Sequence, residues 1–204
     1  MIEPEPVSIA AVELRSVPAG LAVLDALVKE AVVRIRHAGD IDPGRWLILF
    51  DGPLADIEVA LERAIAVGGD DLLESLLLPA AHASLRAALG GEIVATSGIA
   101  AQEGSLGALE CHTVLATIAA TDRALKAADV TLLRLRLATH IAGTGHAVVV
   151  GDHDAVDAAL SAARSDAEAG VEVRTRLIAR AAHETVAAAG QRTAASRSLM
   201  PFDP

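Results

Sequence analysis

The sequence predicts an α/β fold: an α+β sandwich of two similar tandem domains, each an antiparallel sheet flanked by helices. Three observations predict it. The chain repeats itself, both repeats pass through strand-like and helix-like patterns in the same order, and 52% of the 204 residues are hydrophobic. That apolar content is enough to fill a core, so disorder is excluded for most of the chain.

The repeat is an ordered match between distant segments. Residues 11–33 fall on residues 108–130 when the sequence is shifted by 97 places. Farther along the shift is 99, and residues 52–61 fall on residues 151–160. Two residues are therefore inserted in the second repeat between these stretches. The identical pairs in the first match include Glu13/Glu110, Val17/Val114, Asp25/Asp122, Lys29/Lys126 and Val33/Val130.

Each repeat has the pattern strand, helix, hairpin, helix, followed by a last strand and a short helix. In the first helix apolar residues recur at helical spacing, at Leu21, Leu24 and Val28 in one copy and at Ile118 and Leu125 in the other. The expected elements are strands 9–15, 32–36 and 46–50 with helix 55–66, and strands 107–112, 130–135 and 147–150 with helix 155–169.

These patterns divide the chain into four segments. Residues 9–92 are expected to form the first domain and residues 107–190 the second. Residues 93–106, which are rich in Gly and Ser, are expected to be a linker. The polar residues 191–204, which end in proline, are expected to be a flexible tail.

Composition excludes several kinds of partner. Only Trp46, Phe50 and Phe202 are aromatic, and 17 Lys and Arg against 27 Asp and Glu give a net charge of −10. Nucleic-acid binding needs aromatic platforms or a basic surface, so no nucleic-acid partner is expected. No apolar run reaches the roughly 18 residues of a membrane span, and the first residues lack the pattern of a secretion signal. We therefore expect a cytoplasmic protein with no membrane partner.

The sequence predicts neither a catalytic nor a metal site. The seven histidines include no pair with the i, i+4 spacing of a helical zinc site, and no paired acid and base emerges. The single cysteine, Cys111, excludes a disulfide within the chain and a cysteine-only metal site, and we expect it to be buried in a strand. A protein that is not an enzyme and binds no cofactor is therefore predicted.

The order of the repeated residues resembles the bacterial microcompartment (BMC) domain. Each repeat carries A-x-E in its first strand, D-x-x-x-K-x-A-x-V across the end of its first helix, then a loop and an apolar strand that leads to Gly. Two copies in unpermuted order resemble the tandem, trimer-forming class of shell proteins. The resemblance covers about residues 9–185.

The resemblance implies a structural protein. Tandem members form homotrimers with the outline of a hexamer (pseudohexamers), which tile edge to edge with other hexameric and pentameric shell proteins around a cytoplasmic compartment. The family's edge lysine matches Lys29 and Lys126, and its edge arginine matches Arg180. Ala80 stands at the arginine position of the first repeat, so the two kinds of tile edge are expected to differ in strength.

The resemblance also implies a central pore that passes small metabolites, because the family's hairpin loops point at the symmetry axis. The two inserted residues predict that the second loop reaches farther inward. Some tandem members hold an iron–sulfur cluster through a loop cysteine, and neither loop here has one. The residues expected to line the pore are Gly39, Asp40, Ile41, Asp42, Pro43 and Gly44, and Thr139, His140, Ile141, Ala142 and Gly143.

Two interpretations of the loop aspartates stay open. If Asp40 and Asp42 face the axis, three copies place six carboxylates in one constriction, which favours neutral or cationic metabolites over anions. His140 would add three imidazoles, which are charged below about pH 6.5. Alternatively the aspartates form the turn, since Asp before Pro is a common turn start.

A protein of another class has the same expected build: a trimeric ligand-binding regulator with clefts between its subunits. Flat trimers with a hexagonal outline would favour the shell protein. Globular trimers that are stabilised by a nucleotide or metabolite would favour the regulator.

Overall fold

The computed structural model describes residues 7–90, 104–138, 141–165 and 171–190. Packing divides the chain into two units, with the boundary between Ala81 and His82. Each unit contains one four-stranded antiparallel sheet against which helices pack, and this confirms the predicted fold class. In the part of the chain that is described, no helix is long and apolar enough to cross a membrane.

The first unit holds one sheet and two long helices. Its strands are ordered β2-β3-β1-β4. Helix α1 begins after Ser16, whose side-chain oxygen accepts a hydrogen bond from the Ala19 N–H, and Pro18 occupies the first turn, where an N–H has no helical partner. The elements are β1 (Ser8–Leu14), α1 (Val17–Glu30), β2 (Arg34–Ile41), β3 (Arg45–Gly52), α2 (Leu54–Gly68), a 3-10 helix (Gly69–Asp71) and β4 (Leu72–Leu78).

The second unit repeats this topology, with strands ordered β6-β7-β5-β8. Its first long helix begins after Thr113, which accepts a hydrogen bond from the Ala116 N–H as Ser16 does in the first unit. The elements are α3 (Ala83–Leu89), β5 (Ser105–Cys111), α4 (Val114–Ala127), β6 (Thr131–Leu137), β7 (Gly145–Gly151), α5 (His153–Arg164), β8 (Val173–Ile178) and α6 (His183–Gly190).

One face of each sheet packs against its two long helices and forms the core. Each fully buried aliphatic or aromatic side chain contributes about 1.5–3 kcal/mol through the hydrophobic effect. The core of the first unit contains Val12, Leu14, Val23, Leu27, Ile48, Phe50, Ile57 and Leu61. In the second unit helix α6 packs on the opposite, outer face of the sheet, where Val186 contacts Leu106, Leu133 and Val148.

Helix α3 packs on elements of the second unit. It contacts α4 and β6, and its Leu85 is fully buried. The His82 N–H donates to the Oδ1 of the buried Asp122 at 2.8 Å, and His82 Nδ1 accepts from the Ser84 N–H at 3.2 Å, which caps the helix. The packing of α3 therefore divides residues 9–92, the expected first domain, between the two units. The sequence repeat shows which residues correspond in the two copies, but it does not show which sheet a helix packs against.

The hairpin strands are longer than the sequence predicts. The first hairpin was expected as strands 32–36 and 46–50, whereas the strands are Arg34–Ile41 and Arg45–Gly52. The reason is that Gly39 and Asp40 continue the ladder opposite Leu47 and Trp46. Turn-forming residue types do not interrupt the ladder here.

Two other boundaries differ. Helix α5 begins at His153, before the expected start at residue 155, and Ser165 caps its end in an extended conformation. Residues 166–170 of the expected helix lie outside the described residues. Strand β5 begins at Ser105, so the expected linker 93–106 overlaps a strand, and residues 93–103 of that linker and the tail 191–204 lie outside the described residues.

Candidate pore loops and tile-edge residues

The first hairpin ends in a three-residue turn. Its last paired residues are Ile41 and Arg45, which leave Asp42, Pro43 and Gly44 as the turn. The Gly44 N–H donates to the Ile41 carbonyl at 2.9 Å, and the φ of Gly44 is +86°, a conformation that favours glycine. The Asp42–Pro43 peptide bond is cis.

The first predicted loop is therefore shorter than expected. Gly39, Asp40 and Ile41 belong to strand β2. Asp40 is exposed, Asp42 is half-buried at the start of the turn, and Ile41 is buried. The structure brings these residues together at one hairpin tip.

The second hairpin has a longer loop, residues 138–144. The Ala138 N–H donates to the Thr144 carbonyl at 2.9 Å, and the Gly143 N–H donates to the Ala138 carbonyl at 3.3 Å. Of the predicted pore residues in this loop, Ile141 is half-buried, Ala142 is exposed and Gly143 is buried, whereas Thr139 and His140 lie outside the described residues.

The strand register locates the two inserted residues. Gly39 pairs with Leu47 in the first hairpin, and Arg136 pairs with His146 in the second. The segment between the paired residues is longer in the second hairpin by the two residues that the sequence shift indicates. The insertion therefore lies in the second hairpin loop.

The first tip is acidic. Besides Asp40 and Asp42 it has an ion pair in which Arg45 Nη1 lies 2.5 Å from Glu13 Oε1. Glu13 is only 2% exposed, so Arg45 neutralises a buried carboxylate.

The sheet beside the second tip is basic. Arg134 and Arg136 stand on β6, and Arg136 is paired with His146 on β7. Burial, and next the charge of Arg136, lowers the pKa of Arg134. Burial also lowers the pKa of His146, with Arg134 and Arg136 adding to the effect and Glu110 opposing it. The two hairpins therefore differ in charge.

The chain contains two lysines, Lys29 and Lys126, and each is the next-to-last residue of its helix. Lys29 Nζ lies 2.7 Å from Asp25 Oδ2, and Lys126 Nζ lies 2.5 Å from Asp122 Oδ2. The lysine side chains are 72% and 41% exposed, and those of the aspartates are 64% and 4% exposed. Of the two predicted edge lysines, Lys29 is the more accessible.

Arg180 and Ala80 occupy equivalent turns after the last strand of each sheet. The strand register aligns Leu78 with Ile178, which are paired with Ile9 and Leu106 respectively. The φ angles of Ala80 and Arg180 are 50° and 46°, and both residues are exposed. The position of the predicted edge arginine is therefore built alike in both repeats, but the guanidinium is present only in the second.

Cys111 is the last residue of β5 and is buried, as expected. It lies opposite Gly145, the first residue after the second hairpin loop. Among the described residues, no group of three His, Cys, Asp or Glu side chains could hold a metal ion.

Two charged groups were not singled out from the sequence. Asp51, which is 2% exposed, lies 2.8 Å from Arg34 Nε and 2.5 Å from Arg36 Nε. The second group is the arginines of β6. Both groups could have been found from the sequence, because each contains two arginines two residues apart in a strand, and such residues lie on one face of the sheet.

Comparison with known proteins identifies the family. The sequence model of the BMC domain matches residues 8–81 and again residues 105–181. The bacterial microcompartment shell protein PduT of Citrobacter freundii is 34% identical over 180 residues, which are 88% of this chain and 95% of that protein.

Solved structures show the same fold. A microcompartment protein from Desulfitobacterium hafniense matches with a TM-score of 0.77 and 25% identity, over 89% of this chain and 98% of that chain. The fused, permuted hexameric shell protein of the RMM microcompartment matches with a TM-score of 0.56 and 24% identity, over 78% of this chain and 82% of that chain.

The two matches to the family fall on the two sheets, which have the same strand order. They cover more than half of the chain, and the sequence similarity to a curated member extends over most of its length. The chain therefore belongs to the bacterial microcompartment domain family and carries two BMC domains in tandem.

Proposed function

We propose that this protein is a structural shell protein of a bacterial microcompartment in the cytoplasm. Three copies form a pseudohexameric tile, in which the repeats 9–92 and 107–190, joined by residues 93–106, provide six similar domains. The tile joins other shell proteins at its edges, and small metabolites pass through a central pore. The curated relative's description as a shell protein supports the role.

The trimer is supported by one observation: α1 has an exposed apolar face where α4, its counterpart, is buried. The two helices begin at equivalent caps and pack on equivalent sheets. On α1 the exposed fractions of Val17, Leu21 and Val28 are 43%, 53% and 45%. On α4 the corresponding Val114, Ile118 and Leu125 are 0%, 0% and 4% exposed.

A second copy of this chain is the partner that this face fits. Repeated elements with closed symmetry use the same contacts repeatedly, so a surface that is buried in one repeat is expected to be buried in the other. Within the chain, α3 already covers α4. In the trimer a neighbouring copy covers α1, which removes the three apolar side chains from water.

The hairpin tips form the pore in this proposal. The acidic tip with Asp40 and Asp42 alternates around the axis with the longer loop of residues 138–144, whose sheet is basic. The aspartates favour cationic or neutral metabolites, and the longer loop narrows the opening. Lys29, Lys126 and Arg180 contribute to the tile edges, with the arginine-containing edge the stronger.

The experiment is a measurement of native mass together with negative-stain electron microscopy. The chain is expected to be a trimer that appears as flat particles with a hexagonal outline and that assembles into sheets, strips or tubes. Leu21→Glu places a charge in the proposed interface and is expected to yield monomers with unchanged circular dichroism. Val59→Glu, on the exposed face of α2, is the matched control and should remain trimeric.

Two results would contradict the proposal. A chain that is monomeric at all concentrations is not a pseudohexamer, and a trimer unaffected by Leu21→Glu does not use this face of α1. Globular trimers whose melting temperature rises with a nucleotide or metabolite would identify a ligand-binding regulator instead.

A further inference from the structure

The outer face of the second sheet carries a row of basic side chains. Strand register places Arg136 opposite His146, His146 opposite Glu110, and Glu110 opposite Arg174. One step along the strands, Arg134 and Arg176 stand on the same face. Four arginines thus share one sheet face in a chain whose net charge is −10. Such a concentration of charge needs a physical reason.

The first repeat lacks the counterparts of three of these basic side chains, and His37 stands at the position of Arg134. The positions that correspond to Arg136, His146 and Arg174 are Gly39, Leu47 and Glu74. The basic row is therefore specific to the second repeat and is not required by the fold that the two repeats share.

The two arginines of β6 lack partners in the described part of the chain. The Nε of Arg136 is buried without a hydrogen-bond partner. Arg134 lies beside it, and each guanidinium raises the energy of the other's charge. Leaving half-buried charges without compensation is unfavourable, and here they also disfavour the charged form of the His146 ring.

We propose that Arg134, Arg136 and His146 form a binding site for a tetrahedral dianion, the phosphate group of a small phosphorylated metabolite. Two guanidinium groups provide the paired N–H donors that suit a phosphate, and the imidazole adds a third donor when it takes up a proton. Helix α6 borders the site, since Val186 packs on Leu133 and Val148 next to Arg134. Glu110 borders the other side and limits the site to ligands that lie toward β6.

Other charges surround the imidazole. Those that act on His146 directly are Arg134, Arg136 and Glu110. Farther off, β8 carries Arg174 beside Glu172, which also lies 3.6 Å from His112. Helices α3 and α6, which contact β6, carry Arg86, His183 and Glu184. The arginines of β6 are thus the only direct source of positive charge on this ring among the described residues.

The test uses the intact protein and three probes: sodium sulfate, inorganic phosphate and glycerol phosphate, each compared with sodium chloride at equal ionic strength. Calorimetric titration is expected to show saturable binding, and Arg136→Gln or Arg134→Gln is expected to weaken it about tenfold, the effect of one lost charge-assisted hydrogen bond. Arg176→Gln changes the same charge on the same face about 14 Å away, three strand spacings, and should alter binding less than twofold.

A second readout follows His146 by NMR, with His146→Gln used to assign its resonance. Sulfate does not titrate between pH 5 and 8, so its binding is expected to raise the pKa of His146 without a change in the probe. Absence of saturable binding, an unmoved His146 resonance, or equal loss in Arg176→Gln and Arg136→Gln would overturn the proposal. Because these outcomes do not depend on trimer tiling, they are distinct from failure of the shell role.

Discussion

Gly20 and Trp46 fit together because the glycine has no side chain. A Cβ at Gly20 would lie 2.2 Å from Cγ of the Trp46 ring. In the second repeat the corresponding residues are Thr117 and Gly145, and a Cβ at Gly145 would lie 2.4 Å from Thr117 Oγ1. The large and small partners have exchanged places between helix and strand, while the contact itself is kept.

This exchange predicts strong coupling in a double mutant. Gly20→Thr alone forces overpacking and is expected to destabilise by about 1–3 kcal/mol or more, and Trp46→Gly alone leaves a cavity that costs about 3–5 kcal/mol. The double mutant reproduces the pair of the second repeat. Its loss of unfolding free energy is expected to be smaller than the sum of the losses in the two single mutants. Urea unfolding measures all three free energies, and additive effects would contradict the relationship.

The equivalent aspartates of α1 and α4 provide a matched pair. Asp122→Ala removes the buried carboxylate that accepts from the His82 N–H and pairs with Lys126, so a loss of about 3 kcal/mol is expected. Asp25→Ala breaks an exposed pair and should cost less than about 0.5 kcal/mol. Equal effects in thermal or urea unfolding would show that the buried network does not stabilise α3.

Stability is expected to depend on pH through His146. Burial and the β6 arginines lower the pKa of His146 below its ordinary value of 6.5. Below pH 6.5 His146 is protonated in the unfolded chain but still neutral in the folded chain. The free energy of unfolding therefore falls as the pH decreases toward the folded pKa of His146. His146→Gln should flatten this dependence, and Arg134→Gln should weaken it. Identical slopes in all three proteins would refute the assignment.

Asp40→Asn/Asp42→Asn tests the electrostatic pore. Removing six carboxylates per trimer is expected to increase the passage of anionic solutes relative to neutral ones, because the repulsive field at the constriction is lost. Flux or conductance through reconstituted tiles measures the ratio. Asp70→Asn/Asp71→Asn, in the 3-10 helix of the same unit, is the control with the same change in charge. If the ratio is unchanged, the aspartates serve only as turn residues.

The lysines make separate predictions for assembly. Lys29→Ala is expected to reduce sheet formation in electron micrographs without lowering the melting temperature, because its ion pair with Asp25 is exposed to solvent. Lys126→Ala is expected to lower the melting temperature as well, since it leaves the buried Asp122 without its ion pair. Normal sheets from Lys29→Ala would show that Lys29 does not contribute to the contacts at the tile edge.

Much of the fold could be predicted because the same order of strand and helix patterns occurs in both repeats. The strand and helix order, the burial of Cys111 and the two inserted residues all follow from periodicity and alignment. The extent of the first hairpin could not, because Gly39 and Asp40 favour a turn locally while the ladder opposite Leu47 and Trp46 overrides that preference.

The candidate site was predicted less completely. The sequence identifies the hairpin tips through their turn residues, but the charge beside the second tip depends on which side chains share a sheet face. Arg136 and His146 are ten positions apart and become neighbours only through the register of β6 and β7. Similarly, nothing local connects His82 to Asp122, which are brought together by the packing of α3.

Because α3, the helix after β4, packs on α4, the boundary between the two packed units does not coincide with the boundary between the two sequence repeats. Substitutions in residues 82–89 are constrained by the hydrogen bond from His82 to Asp122 and by the contacts of α3 with α4 and β6. A split version cut within residues 91–103 would separate α3 from its support, whereas a cut between Ala81 and His82 would keep each fragment's helices with the sheet they pack on.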